Sequence, residues 1–155
     1  MRGRPRYLLV VALVVAPLAA CGGSTGGDNA MPASWERTPG ALNPDVTQAT
    51  LATTVCISGY SKRIRPPASY TGELKRRQIR EWGLPGGPGD YQEDHLISLS
   101  LGGHPTDPRN LWPEPHPRAE EVDRVEIALH DDLCAGRITL LEAQTRESRL
   151  KHDVG

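Results

Sequence analysis

The residue types that carry chemistry lie between Asp94-His95, Gly102-Gly103 and Asn110-Leu111-Trp112-Pro113. An imidazole such as that of His95 titrates near neutrality and takes a proton from an attacking water within hydrogen-bond reach. A carboxylate such as Asp94 complements it by holding a cation that neutralises charge developing on a phosphoryl oxygen. Strand alternation sends adjacent side chains to opposite faces, so Asp94 and His95 serve one centre only if the backbone bends between them. A phosphate would also need positive charge nearby. Lys62, Arg63, Arg65, Lys75, Arg76, Arg77 and Arg80 stand against only Glu73 and Glu81 in this stretch, enough for one phosphate-attracting face.

The elements that position these groups must come from a small fold. The chain has 155 residues, the size of one ordinary domain. It has no Phe, with Gly 16 and Pro 14, which points to a thin core and many loops and excludes a coiled coil. Its Leu, Ile, Val and Trp exclude outright disorder. Alternation puts His95, Ile97, Leu99 and Leu101 on one face of a half-buried strand running from Asp94 into the Gly102-Gly103 turn. Leu51 to Tyr60 holds at best one short strand. Thr71 to Trp82 reads as a helix with Thr71 as N-cap and Gly83 as its stop. Leu84 to Asp90 can only be loop. From Pro117 onward, Val122, Val125, Leu129 and Leu133 recur at helical spacing, and Thr139 with Glu142 caps a last helix through about Lys151.

The first 20 residues read as a segment removed on export. Arg2, Arg4 and Arg6 precede an apolar run ending at Ala19-Ala20, and this run is shorter than the roughly 20 residues a spanning helix needs. Leu18-Ala19-Ala20-Cys21 resembles the lipobox of bacterial lipoproteins, which implies lipidation at Cys21 and a membrane anchor on the extracytoplasmic face. This segment holds three of the 18 Lys and Arg and none of the 19 acids, so the remainder is net acidic. Residues 21–46 read as a flexible Gly/Pro/Ser-rich tether and 47–155 as the folded domain. With Cys21 lipidated, Cys56 and Cys134 are left to pair, as befits an oxidising compartment. No C-x-x-C pair occurs, which argues against a structural zinc site.

Tyr91-Gln92-Glu93-Asp94-His95-Leu96-Ile97, Leu101-Gly102-Gly103 and Pro108-Arg109-Asn110-Leu111-Trp112-Pro113, taken in order, resemble the core of HNH-type nucleases, most closely small exported bacterial HNH-like proteins. The likeness extends upstream to Arg65-Pro66-Pro67 and downstream to Leu133-Cys134-Ala135-Gly136. It implies an α+β domain with a ββα-metal core, His95 as general base, Asp94 as metal ligand and Asn110 clamping the loop that holds the His95 ring. It further implies a divalent ion (Mg, Mn or Zn), nucleic acid as substrate and a monomer. Arg65, Lys75 and Arg76 would meet phosphates. The remaining metal ligand comes from His116, Glu120 or Asp123, with His116 best placed by element type. Two departures stand out: Ser98 replaces the usual Pro, and Val122-Asp123 stands where relatives carry Lys-Asp. The resemblance thus implies a metal-dependent, lipid-anchored endonuclease, with a non-catalytic envelope lipoprotein that keeps the fold as a binding module as the alternative. Replacing Cys21 by Ala is expected to abolish lipidation; unchanged membrane retention and mature mass would refute the anchor.

Overall fold

The computed structural model describes residues 31–116 and 118–153, so the leader, Cys21 and the first part of the tether lie outside the described residues. The fold is α+β. Helix α1 (Tyr60–Ile64) and helix α2 (Ala68–Trp82) precede strand β1 (Tyr91–His95) and strand β2 (Leu111–Pro115), and helices α3 (Arg118–Cys134) and α4 (Leu140–Asp153) follow. The two strands form an antiparallel hairpin. Helix α2 packs on both strands, while α3 packs on β2 and on α4. Among the described residues no helix is long and apolar enough to cross a membrane.

The main core joins Val46, Val55, Tyr60, Ile97, Leu101, Leu129, Leu133, Leu140 and Ala143, and a smaller cluster joins Ala33, Leu96 and Trp112 with Trp82 against it. Cys56 and Cys134 form the expected disulfide, their Cα atoms 5.5 Å apart, tying the segment before α1 to the end of α3. Helix α4 is capped as anticipated, the Glu142 N–H donating to Thr139 Oγ1 at 3.2 Å.

Several local readings give way to tertiary structure. The strand expected to run on to Leu101 stops at His95, because side chains take the backbone groups that would have continued the ladder. Asn110 bonds both the N–H and the carbonyl of Ile97, and Glu147 accepts from Ser98 N–H. Leu99–Leu101 then forms a 3-10 turn. Gly103 closes this turn against the Ile97 carbonyl: a Cβ there would sit 1.7 Å from that oxygen, so only glycine fits. Leu51–Thr53 is a 3-10 turn, and among the described residues no strand precedes α1. Helix α2 begins at Ala68, since the extended backbone of Pro67 launches it one turn before Thr71.

The second half of the expected tether also packs on the domain. Ala33, Thr38, Asn43 and Val46 are buried, and Leu42 bridges to Gly103. Three contacts bind this stretch to the end of α4. Ala33 N–H donates to the Lys151 carbonyl, and the His152 ring stacks on Trp35 at 3.5 Å while Nε2 meets the Thr38 carbonyl.

The disulfide closes a loop of 78 residues. In the chain-entropy model such a link stabilises by about 4–4.5 kcal/mol. The paired Cys56→Ser/Cys134→Ser protein should therefore unfold at markedly lower urea; an unchanged midpoint would show that the link adds nothing.

Candidate active site

His95 ends β1 and is 4% exposed. Its Nε2 lies 3.0 Å from the Pro105 carbonyl oxygen. A carbonyl only accepts, so Nε2 carries the proton of the neutral ring and Nδ1 keeps the lone pair a general base needs. Burial pushes the imidazole below its ordinary range; the Pro105 carbonyl and Asp94 oppose this, and the Arg65 and Lys151 charges reinforce it. The loop carrying Pro105 is braced on both sides. Fully buried Asn110 accepts from Ile97 N–H at 2.9 Å and donates through Nδ2 to the Ile97 and His104 carbonyls at 2.9 and 3.0 Å. His104 Nδ1 accepts from the Thr106 and Asp107 N–H groups, and the Tyr70 hydroxyl donates to the Thr106 carbonyl.

Asp94 looks the other way. The register pairs it with Trp112 and pairs Gln92 with Glu114, which makes Asp94 and Glu114 diagonal neighbours on one face. Neither Glu114 oxygen has a hydrogen-bond partner, and the two carboxyls lie close enough to act on each other's protonation. Burial, and after it Asp94, raise Glu114 so that it stays protonated; burial also works against the Asp94 charge, but Lys151 outweighs it and Asp94 stays ionised.

The partner of Asp94 arrives from α4. The fully buried Lys151 Nζ donates to Asp94 Oδ2 at 2.7 Å and to the His95 carbonyl at 2.7 Å, and lies 3.3 Å from Glu147 Oε1. Two of the three ammonium protons are taken by hydrogen bonds, and Glu147 adds an ion-pair contact. Burial disfavours that charge, yet the neighbouring acids, Asp94 first and Glu147 next, outweigh it and hold Lys151 charged. Glu147 also accepts from Ser98 N–H at 2.9 Å, and Glu126 accepts from Ser100 Oγ at 2.9 Å. Burial pushes Glu147 up to about 7, opposed by Lys151.

The metal ligands expected from sequence do not come together. β1 and β2 pair without a bulge from Tyr91–Pro115 to His95–Leu111, so the bend that would turn Asp94 toward His95 is absent. His116 is exposed, and its N–H meets the Asp90 carbonyl at the far end of the hairpin. Four residues of strand, roughly 13 Å, separate it from the position opposite Asp94. Asp123 is exposed on α3, and the Glu120 side chain lies outside the described residues. Among the described residues no three His, Cys, Asp or Glu side chains are grouped to hold a metal ion. A divalent ion does not fit the donors as they stand, because the Asp94 oxygen that would bind it is engaged by an ammonium.

The basic residues are also redistributed. Lys75 Nζ donates to the Pro88 and Tyr91 carbonyls, both at 2.7 Å, so it holds the loop before β1. Arg76 is exposed on α2. Arg65 is exposed and close enough to His95 to act on its protonation. A groove lined by Arg37, Arg77, Arg109, Gln78 and Trp82 was not legible in the sequence. Arg37 lies 5.2 Å over the Trp82 ring, and Arg109 is paired with Asp107 at 2.6 Å. Gln78 Nε2 donates to the carbonyl of Leu111, the residue opposite His95, so the groove borders the His95 end of the hairpin.

Sequence reasoning also missed Glu114, Glu147 and Lys151. The signals were the even spacing of Glu114 from Trp112 and the i,i+4 spacing of Glu147 and Lys151. Compared with family models, with curated proteins and with solved structures, the chain finds no match.

Glu93 provides a check on these electrostatics. It shares the His95 face of β1, both its oxygens are buried without a hydrogen-bond partner, and burial pushes it up to about 8; Lys75 and Arg77 oppose the shift and Asp94 adds to it. A carboxyl raised in the folded state is protonated in both states below about pH 4.3 and costs stability as pH rises from there to about 8. Glu93→Gln should therefore raise stability at pH 8 by about 1–3 kcal/mol while changing little at pH 4. An equal effect at both pH values would contradict this origin.

Proposed function

We propose that the chain hydrolyses phosphodiester bonds of nucleic acid, as an exported, lipid-anchored domain with an HNH-like ββα frame. The observation that carries this reading is the His95 ring, fixed by the Pro105 carbonyl so that its lone pair lies on Nδ1. A neutral imidazole held in one tautomer suits a general base, and Asn110 keeps the supporting loop in place. The order of β1, β2 and α3 is compatible with a ββα finger. The disulfide accords with an oxidising compartment, and hence with export.

In this reading His95 Nδ1 takes a proton from the attacking water as its oxygen bonds to phosphorus, the P–O bond to the leaving nucleoside breaks, and the leaving oxygen takes a proton from solvent. Arg65, near His95, attracts the phosphate and offsets negative charge on its oxygens. Arg37 and Arg77 line the groove beside Trp82 and Glu81, along which the flanking backbone of a nucleic acid would run. No step passes through a metal, since the engaged Asp94 does not fit one.

A second reading, a binding module without catalysis, is favoured by that same engagement of Asp94 by Lys151. The two separate in one set of assays on the full chain, with plasmid DNA and with RNA. Hydrolysis predicts cleavage that falls about 10²–10⁴-fold in His95→Ala. The wild-type rate should climb at acidic pH and level off before neutrality, because burial lowers His95 and the base form dominates early. Arg65→Ala and Arg77→Ala should each weaken binding and reduce the salt slope by about one. Salt-dependent binding without cleavage, unchanged by His95→Ala, would establish the binding module instead.

A further inference from the structure

The acidic face of β1 has a cation, and the chain supplies it. We infer that the Lys151 ammonium is the resident cation of the centre formed by Asp94, Glu114, Glu147 and the His95 carbonyl, and that it shuts this centre to divalent ions. The inference concerns cation binding and stands or falls separately from hydrolysis.

The geometry points this way on two independent grounds. The first is the coordination of Nζ: one carboxylate oxygen and one carbonyl oxygen at 2.7 Å, and a second carboxylate oxygen at 3.3 Å, all around a side chain with no exposed surface. Carboxylate and carbonyl oxygens are also the donors that hard divalent cations take. The second is Glu114, fully buried and facing Asp94, with no hydrogen-bond donor from the rest of the protein on either oxygen. Its carboxyl is thus a further oxygen donor that the ammonium does not use.

An ammonium and a divalent ion compete for these oxygens unequally. Lys151 is tethered to α4, one turn beyond Glu147, so it is delivered to the centre by folding itself. A metal ion must displace it, leaving a buried charge without partners, which proteins tolerate poorly. A neutral, shorter side chain at this position removes the competitor and leaves a space walled by oxygens, in which water can complete a metal's coordination shell.

The test is Mn2+ binding by the full chain, followed by calorimetry and by electron paramagnetic resonance. Wild type is expected to bind Mn2+ only weakly, and Lys151→Ala at least about 100-fold more tightly. Mn2+ should raise the melting temperature of the variant and not that of wild type. Asp94→Asn in the Lys151→Ala background should abolish the gain. If Lys151→Ala folds only when Mn2+ is present, the inference is supported equally. Should it fold in neither condition, Lys151→Ala/Glu147→Gln, which removes one acid with the cation, is measured in its place against the same expectation. Equal Mn2+ affinity in wild type and variant would overturn the inference, as would a gain that survives Asp94→Asn.

Discussion

Four parts of the chain meet at Lys151. It donates to the Asp94 carboxylate and the His95 carbonyl of β1 and faces Glu147 on its own helix, and Glu147 in turn accepts from the Ser98 N–H of the turn after β1. The Lys151 carbonyl accepts from Ala33, so the N-terminal stretch is bound at the same residue. A buried ion pair adds little net stability compared with apolar residues of the same shape, but breaking one from a single side costs about 3–5 kcal/mol. The hairpin, the 98–101 turn and α4 are therefore held in one arrangement, and any local change at position 151 is felt in all of them.

That arrangement divides β1 into two chemistries. His95 faces a loop braced by Asn110, His104 and Tyr70, where every contact acts to hold one imidazole. Asp94 faces a cluster of acids around one cation. The hairpin is regular, so the two faces are joined through the strand backbone, where the His95 carbonyl bonds to Lys151 while its ring is fixed by Pro105, and through the Asp94 and Lys151 charges that act on that ring. Lys151 thus bears on the position of His95 without touching its ring.

What the sequence made legible was what local rules determine. The disulfide followed from counting cysteines, the end of α2 from Gly83, and the start of α4 from Thr139 and Glu142. The second strand, which the resemblance placed at Asn110-Leu111-Trp112-Pro113, runs from Leu111 to Pro115, and Asn110 sits in the 3-10 turn before it. The early end of β1 was not legible, because Asn110 and Glu147 reach in from distant elements to take the bonds of Ile97 and Ser98. The acid cluster escaped for a similar reason: Asp94, Glu114 and Lys151 lie on three elements, and only the strand register and the packing of α4 bring them together. Composition misled at residues 33–46, where a tether-like sequence is fastened by a stacked ring and backbone bonds to α4.

The chain has only three lysines, Lys62, Lys75 and Lys151, so one spectrum reads the pivotal contact directly. The measurement is a proton–nitrogen correlation spectrum of the full chain carrying 15N at lysine Nζ, recorded near neutral pH. An ammonium resonance protected from solvent exchange, assigned to Lys151 and losing its protection in Asp94→Asn, is the predicted result. A Lys151 ammonium that exchanges as fast as exposed Lys62 would contradict it, and would place the cation of this centre in solvent.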